Sequence, residues 1–272
     1  MLGPMRRAAP PASPGTKLAG DAGLALMVLA ISLGTILRMP LLLELPAIFL
    51  FLFACATKAY DLLPAAALFT FLYVGSQFLP EIVWALPTAG FILALLFARV
   101  VSIPPRAKEQ WAFVRAGRID LASGLLTLVT SLVAAAALIL WAFSADQLGA
   151  WAAVLRDYQG VPRWFLYGIG VPVFALLNAA TEELIFRGVL LEALRTRFPK
   201  HLNVCIGLQA SAFAAAHYWA GFPNGKLGYL MTFIYACALG YLRIRTRGLL
   251  APFLAHFTAD VVIAILLIAL VA

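Results

Sequence analysis

Long apolar runs alternate with short polar breaks along almost the whole chain. The runs fall at about 21–37, 43–57, 62–79, 82–101, 120–143, 164–194, 202–219, 227–241 and 249–271. Roughly 20 apolar residues suffice for a helix to cross a bilayer, and most of these runs reach or approach that length. The breaks carry proline, glycine and basic residues, as at Arg38-Met39-Pro40, Lys58 to Asp61, Leu79-Pro80-Glu81, Pro199-Lys200 and Pro223-Asn224-Gly225. The pattern predicts an all-α fold, a polytopic transmembrane helical bundle of about eight or nine spans.

Three regions follow from the same pattern. Residues 1–20, with Arg6, Arg7 and Lys17 among Pro, Ala, Ser and Gly, read as a flexible basic leader. Residues 21–160 hold N-terminal spans without recognisable chemistry. The first span resembles a signal-peptide core, but a second apolar run follows Pro40 directly and no small-residue cleavage site intervenes, so it reads as uncleaved. Trp111 and Phe113 mark an interfacial loop at 103–120, and Trp151, Leu155 and Tyr158 suggest an amphipathic surface helix within 144–162. Residues 161–272 carry the polar residues that need an explanation.

Composition agrees with a membrane protein and narrows the partners. Hydrophobic residues make up 64% of the chain and charged residues 12%, against about 25% charged in a soluble domain. The net charge of +8 does not indicate nucleic acid, because the basic residues lie in clusters between spans. Sixteen of the 20 Lys and Arg fall on one side of a nine-span arrangement, leaving Arg38, Arg156, Arg163 and Lys226 on the other. By the positive-inside rule the N-terminus is then cytoplasmic. Cys55, Cys205 and Cys237 have no metal-ligand spacing and read as small apolar residues.

Chemistry concentrates in Thr181-Glu182-Glu183-Leu184-Ile185-Phe186-Arg187-Gly188, inside an apolar run. A buried charge costs several kcal/mol unless it is paired, so intramembrane acids point to function. Glu183 and Arg187 are four residues apart and pair on one helix face, while Glu182 points about 100° away and is free to face a cavity. About 17 residues separate Glu182 from the Pro199-Lys200 turn, and about 17 separate that turn from His217, roughly 26 Å each way. The acid and the imidazole should therefore meet at one depth on antiparallel neighbours. His256 and Asp260 share a face of the last span. Together these groups can deprotonate a water for attack on a carbonyl and can stabilise the resulting oxyanion.

At these positions the sequence resembles the CPBP intramembrane protease family, which includes the type II CAAX prenyl endopeptidase and bacterial bacteriocin-processing or self-immunity proteases. The resemblance rests on Glu-Glu-x-x-x-Arg at Glu182, Glu183 and Arg187, on Phe-x-x-x-His at Phe213 and His217, and on a late His-x-x-x-Asn seen here as His256 and Asp260. It covers about residues 160–265. It implies a CAAX-type, glutamate-type endopeptidase in which Glu182 and His217 activate water while His256 and its partner hold the oxyanion. Asp260 departs from the pattern: it must be protonated, or must act by holding His256 as a charged donor, and the second is favoured.

The resemblance implies a membrane-tethered protein or peptide as substrate, cut near its C-terminal anchor, and the Ala-, Leu- and Arg-rich composition points to a bacterial inner membrane. No substrate-binding residue is assigned. Zinc on Glu and two His is conceivable, but without His-Glu-x-x-His, and with Arg187 beside the acids, no metal and no other cofactor is expected. Two other classes compete. A transporter or proton relay would need a matching site in the first half, which offers none. A non-catalytic immunity or partner protein on the same scaffold would not need the intact motif set.

Overall fold

The computed structural model describes residues 14–59, 61–78, 115–144 and 160–271, which are helical almost throughout, with no strand among them. In chain order the helices are α1 (Pro14–Leu37), α2 (Pro40–Thr57), α3 (Leu63–Phe78), α4 (Leu121–Ser144), α5 (Arg163–Arg197), α6 (Leu202–Ala220), α7 (Gly225–Thr246) and α8 (Leu250–Val271). Six of them, α1, α2, α4, α5, α7 and α8, are long and apolar enough to cross a membrane. The shorter α3 and the more polar α6, which carries Gln209, Ser211 and His217, bring the described helices to eight. The run expected at 82–101, the interfacial Trp111 and Phe113, and the surface helix expected around Trp151, Leu155 and Tyr158 lie outside the described residues.

Two boundaries differ from the sequence reading. Helix α1 is described from Pro14, inside the stretch expected to be a flexible leader. Helix α7 continues through Arg243 and Arg245 to Thr246, beyond the apolar run expected at 227–241. Arg243 is consequently turned inward and buried.

The described helices pack pairwise in an order that carries the first half onto the second. Helix α1 packs on α2 and α6, α2 on α3, α6 on α7, and α8 on α4, α5 and α7. Small residues permit the close approaches, as expected where van der Waals contact drives helix association. Gly23 of α1 faces Leu50 of α2, and Gly240 of α7 faces Ile206 and Gln209 of α6. The largest core joins Leu24, Met27 and Ile31 of α1, Phe69 of α3, Ile185 and Leu190 of α5, and Phe213 of α6. Leu128, Leu132 and Val133 of α4 and Leu176 and Leu177 of α5 stay exposed, which suits a lipid solvent and would be anomalous in water.

The two ends of the bundle differ in charge. At one end Arg197 of α5 bonds Asp61 before α3 and, at 3.2 Å, Asp21 of α1. Nearby, Arg245 pairs with Asp120 at 2.9 Å. Asp120 also caps α4: its carboxylate accepts from the Ser123 N–H at 2.7 Å, and the Asp120 N–H donates back to the Ser123 hydroxyl. Residues 115–118 cross the α7–α8 turn, with Arg118 N–H donating to the Thr246 carbonyl and Leu249 N–H to the Arg115 carbonyl. A Cβ on Gly248 would overlap the Ala116 carbonyl, and one on Gly117 would overlap that of Thr246, so the crossing requires both glycines. At the opposite end the Trp219 indole donates to the Thr35 and Ile36 carbonyls, and Arg38 lies over its ring at 4.0 Å.

Candidate active site

Helix α5 changes its winding at the acidic motif. Residues Glu183–Leu190 hydrogen-bond five residues back, as a π-helix, between α-helical Val171–Glu182 and Leu191–Arg197. Such turns are rare and recur at functional sites. A wider turn advances each residue through a smaller angle, so successive side chains diverge less than on an α-helix. That bears directly on Glu182 and Glu183.

Both carboxylates reach His256 of α8. Glu183 Oε1 lies 2.7 Å from His256 Nδ1, and Glu182 Oε2 lies 3.4 Å from His256 Nε2. The expectation that the two acids point into different surroundings therefore needs correcting: they approach one imidazole from its two nitrogens. Glu183 Oε1 also accepts from Arg187 at 2.8 Å, with Glu183 1% and Arg187 0% exposed. The Arg187 guanidinium stacks 4.2 Å above the centroid of the Phe213 ring, a favourable placement for a desolvated cation.

His217 comes in from α6. Its Nδ1 lies 2.9 Å from the Phe213 carbonyl, which can only accept, so Nδ1 carries the proton. In the neutral ring Nε2 is then the basic nitrogen, and it faces Glu182 Oε2 at 3.9 Å. By the same reasoning His256 Nδ1 donates to the Glu183 carboxylate and turns its Nε2 toward Glu182. Phe213 holds the group together from below. Its ring lies 4.5 Å from that of His217 and 5.7 Å from that of His256.

Asp260 sits differently from the sequence expectation. Its Oδ1 is 3.7 Å from His256 Nε2, too long for a hydrogen bond, while its Oδ2 accepts from Asn178 of α5 at 3.2 Å. Glu183 makes the short bond that orients His256. Asn178 escaped the sequence reading, although it precedes Glu182 by one helical turn and is a lone amide in an apolar run, a signal that could have found it. Tyr235 of α7 was also missed. Its ring meets His256 edge-on at 6.1 Å, and its buried hydroxyl has no hydrogen-bond partner among the described residues.

A cavity of about 480 Å³ opens against the two imidazoles. Its polar lining includes His217, His256, Asp260, Thr232 and Tyr235, and its apolar walls include Ala134, Ala137 and Leu138 of α4 and Met231 of α7. Phe222 and Pro223, from the turn at the less basic end, also line it. Asp260 faces this space, whereas Glu182 and Glu183 are not part of its lining.

Among the described residues no group of three or more His, Cys, Asp and Glu side chains is arranged to hold an ion. Glu183 is already bonded to Arg187 and His256, and its neighbouring guanidinium opposes a dication.

Residues 163–262 match the family model described as Type II CAAX prenyl endopeptidase Rce1-like. This Rce1-like segment runs from the start of α5 into α8 and contains Glu182, Glu183, Arg187, His217, His256 and Asp260. The match covers less than half of the chain; together with the membrane-length helices, it makes this segment similar to that of a CAAX-type intramembrane protease. No curated protein and no solved structure matches the chain significantly.

Proposed function

We propose that the protein is an intramembrane endopeptidase of glutamate type that cuts a membrane-tethered protein substrate near its C-terminal anchor. One observation carries this reading: Glu182 Oε2 lies within 4 Å of the Nε2 atoms of both His217 and His256. That oxygen is buried and accepts no hydrogen bond among the described residues, and a buried acceptor calls for a donor. A water held between Glu182 and His217 meets that demand and is placed for deprotonation. The two groups share the proton as the oxygen attacks the scissile carbonyl.

His256 then serves the opposite charge. Glu183 fixes its ring through Nδ1, so Nε2, when protonated, donates to the oxyanion from a set position. Asp260, held by Asn178, stands 3.7 Å from the same nitrogen without bonding to it. The water proton passes finally to the leaving amine, which restores the carboxylate. No step requires a metal, and activity should survive a strong chelator; loss restored specifically by zinc would refute this part.

The apolar cavity walls suit a hydrophobic peptide segment, and Phe222 and Pro223 place one end of the cavity at the less basic face. Under the positive-inside rule that face is extracytoplasmic, in a bacterial inner membrane with the N-terminus cytoplasmic. The deciding experiment compares membrane proteomes of a deletion strain complemented with wild type or with Glu182→Gln. Proteins that keep a C-terminal segment in both the deletion and the Glu182→Gln strain are the expected result. Full complementation by Glu182→Gln would end the proposal.

A further inference from the structure

A second cavity, of about 910 Å³, lies at the basic end of the bundle, away from the histidines. It is lined by Arg115, Leu191, Glu192, Arg195, Arg243, Ile244 and Arg247. Four guanidinium groups from three separate stretches of chain thus converge there with one carboxylate. Helix C-termini attract cations, and cytoplasmic loops collect them, but neither tendency makes arginines from three segments share a cavity.

The site has a built interior. Arg243 is buried at its base, where Nε donates to the Arg187 carbonyl at 3.4 Å and NH2 faces Glu192 Oε2 at 3.5 Å. Arg195 makes two bonds to the same carboxylate, at 2.6 and 3.3 Å. Glu192 is thereby shared between two cations, and the lining keeps a net positive charge. The exposed Arg115 and Arg247 are set at the rim by the backbone crossing that Gly117 and Gly248 permit. Arg247 adopts φ 53° as the residue that ends α7, so its position is fixed by the helix terminus. Arg245, between them in sequence, is engaged elsewhere, with Asp120.

We propose that this cavity binds a phosphate group, with the headgroup of an anionic phospholipid as the source that its place at the membrane edge favours. Arginine forks match phosphate oxygens in geometry as well as charge, and basic pockets between membrane helices on the positive side suit anionic headgroups. Arg243 supplies the deep contact, and Arg115, Arg195 and Arg247 close around the group. The site is independent of the proteolytic reading, because its occupancy is measured without any cleavage.

The test is native mass spectrometry of the full-length protein in neutral detergent, titrated with phosphatidylglycerol or phosphatidylcholine. Wild type should retain phosphatidylglycerol at least tenfold more tightly. Each rim arginine changed to glutamine should weaken that binding about fivefold, with Arg115→Gln and Arg247→Gln combined giving roughly 25-fold. Arg118→Gln removes a charge from the same face outside the cavity and should change little. Displacement by millimolar inorganic phosphate would assign the site to soluble phosphate and keep its chemistry, whereas resistance would assign it to the lipid. Should the double variant fold poorly, Arg195→Gln alone tests the same lining. Unaltered lipid retention in the variants, or an equal loss in Arg118→Gln, would overturn the proposal.

Discussion

His256 and Glu183 are joined by a 2.7 Å bond across two helices that are 73 residues apart in sequence. Because the same Glu183 oxygen also holds Arg187, one carboxylate both aims an imidazole and neutralises a buried guanidinium. Glu183→Ala should therefore lose on both counts. Leaving Arg187 unpaired is expected to cost about 3–5 kcal/mol of stability. A thermal melt in detergent would read it, and an unchanged midpoint would show that the pair carries no such burden.

Glu182 should behave in the opposite way. Its Oε2 has no hydrogen-bond partner among the described residues, so Glu182→Gln should leave the melting midpoint nearly unchanged while lowering turnover by about 10²- to 10⁴-fold. Measured side by side, the two variants separate the group that builds the site from the group assigned to the chemistry.

Arg187→Lys keeps a positive charge but not a flat one. The guanidinium lies over Phe213, and an ammonium in its place loses the stacked contact while keeping a single bond to Glu183. A loss of about 1–2 kcal/mol is expected, with some activity remaining. Arg187→Met, which strands Glu183, should cost more. Equal stability of the two variants would contradict the role given to the charge.

Two glycines give a paired prediction. Nothing lies within 4 Å of a Cβ built on Gly207, in the interior of α6, so Gly207→Ala should stabilise the protein by about 0.5–1 kcal/mol. Gly248→Ala meets the Ala116 backbone and should destabilise it by forcing the crossing apart. The order of the two melting midpoints is the check.

The cap on α4 depends on pH. Hydrogen bonds from Ser123, and Arg245 nearby, hold the Asp120 carboxyl below its ordinary range. A carboxyl depressed in the folded state contributes stability above its unfolded pKa and loses it as the pH falls through the folded value. Asp120→Ala should consequently melt below wild type at pH 7, and the gap should narrow below about pH 4. A gap that stays constant into acid would place the effect elsewhere.

The polar residues of the site were legible because the bilayer makes them expensive. Glu182, Glu183, His217 and His256 stand out in an apolar sequence for that reason alone, and counting residues from a turn matched Glu182 with His217 in depth. Helix type and most boundaries were equally legible from run length. The way both acids meet His256 was not, since a change from α to π winding alters the hydrogen-bond register of α5 without changing hydropathy. The burial of Arg243 was hidden for a related reason: α7 continues beyond the apolar run and turns this arginine inward. The partner of Asp260 was hidden because Asn178 is 82 residues away, and no local spacing rule joins the two.

The Arg197 guanidinium is shared by aspartates from the opening helix and from the entry to the third, so the half that carries the candidate site is moored to the front of the chain at the far end of its longest helix. Excising residues 14–78 would sever that mooring and strip the lining from Phe186 and Phe213. The early helices, whose sequence shows no chemistry, are thus the keel against which the candidate site is packed.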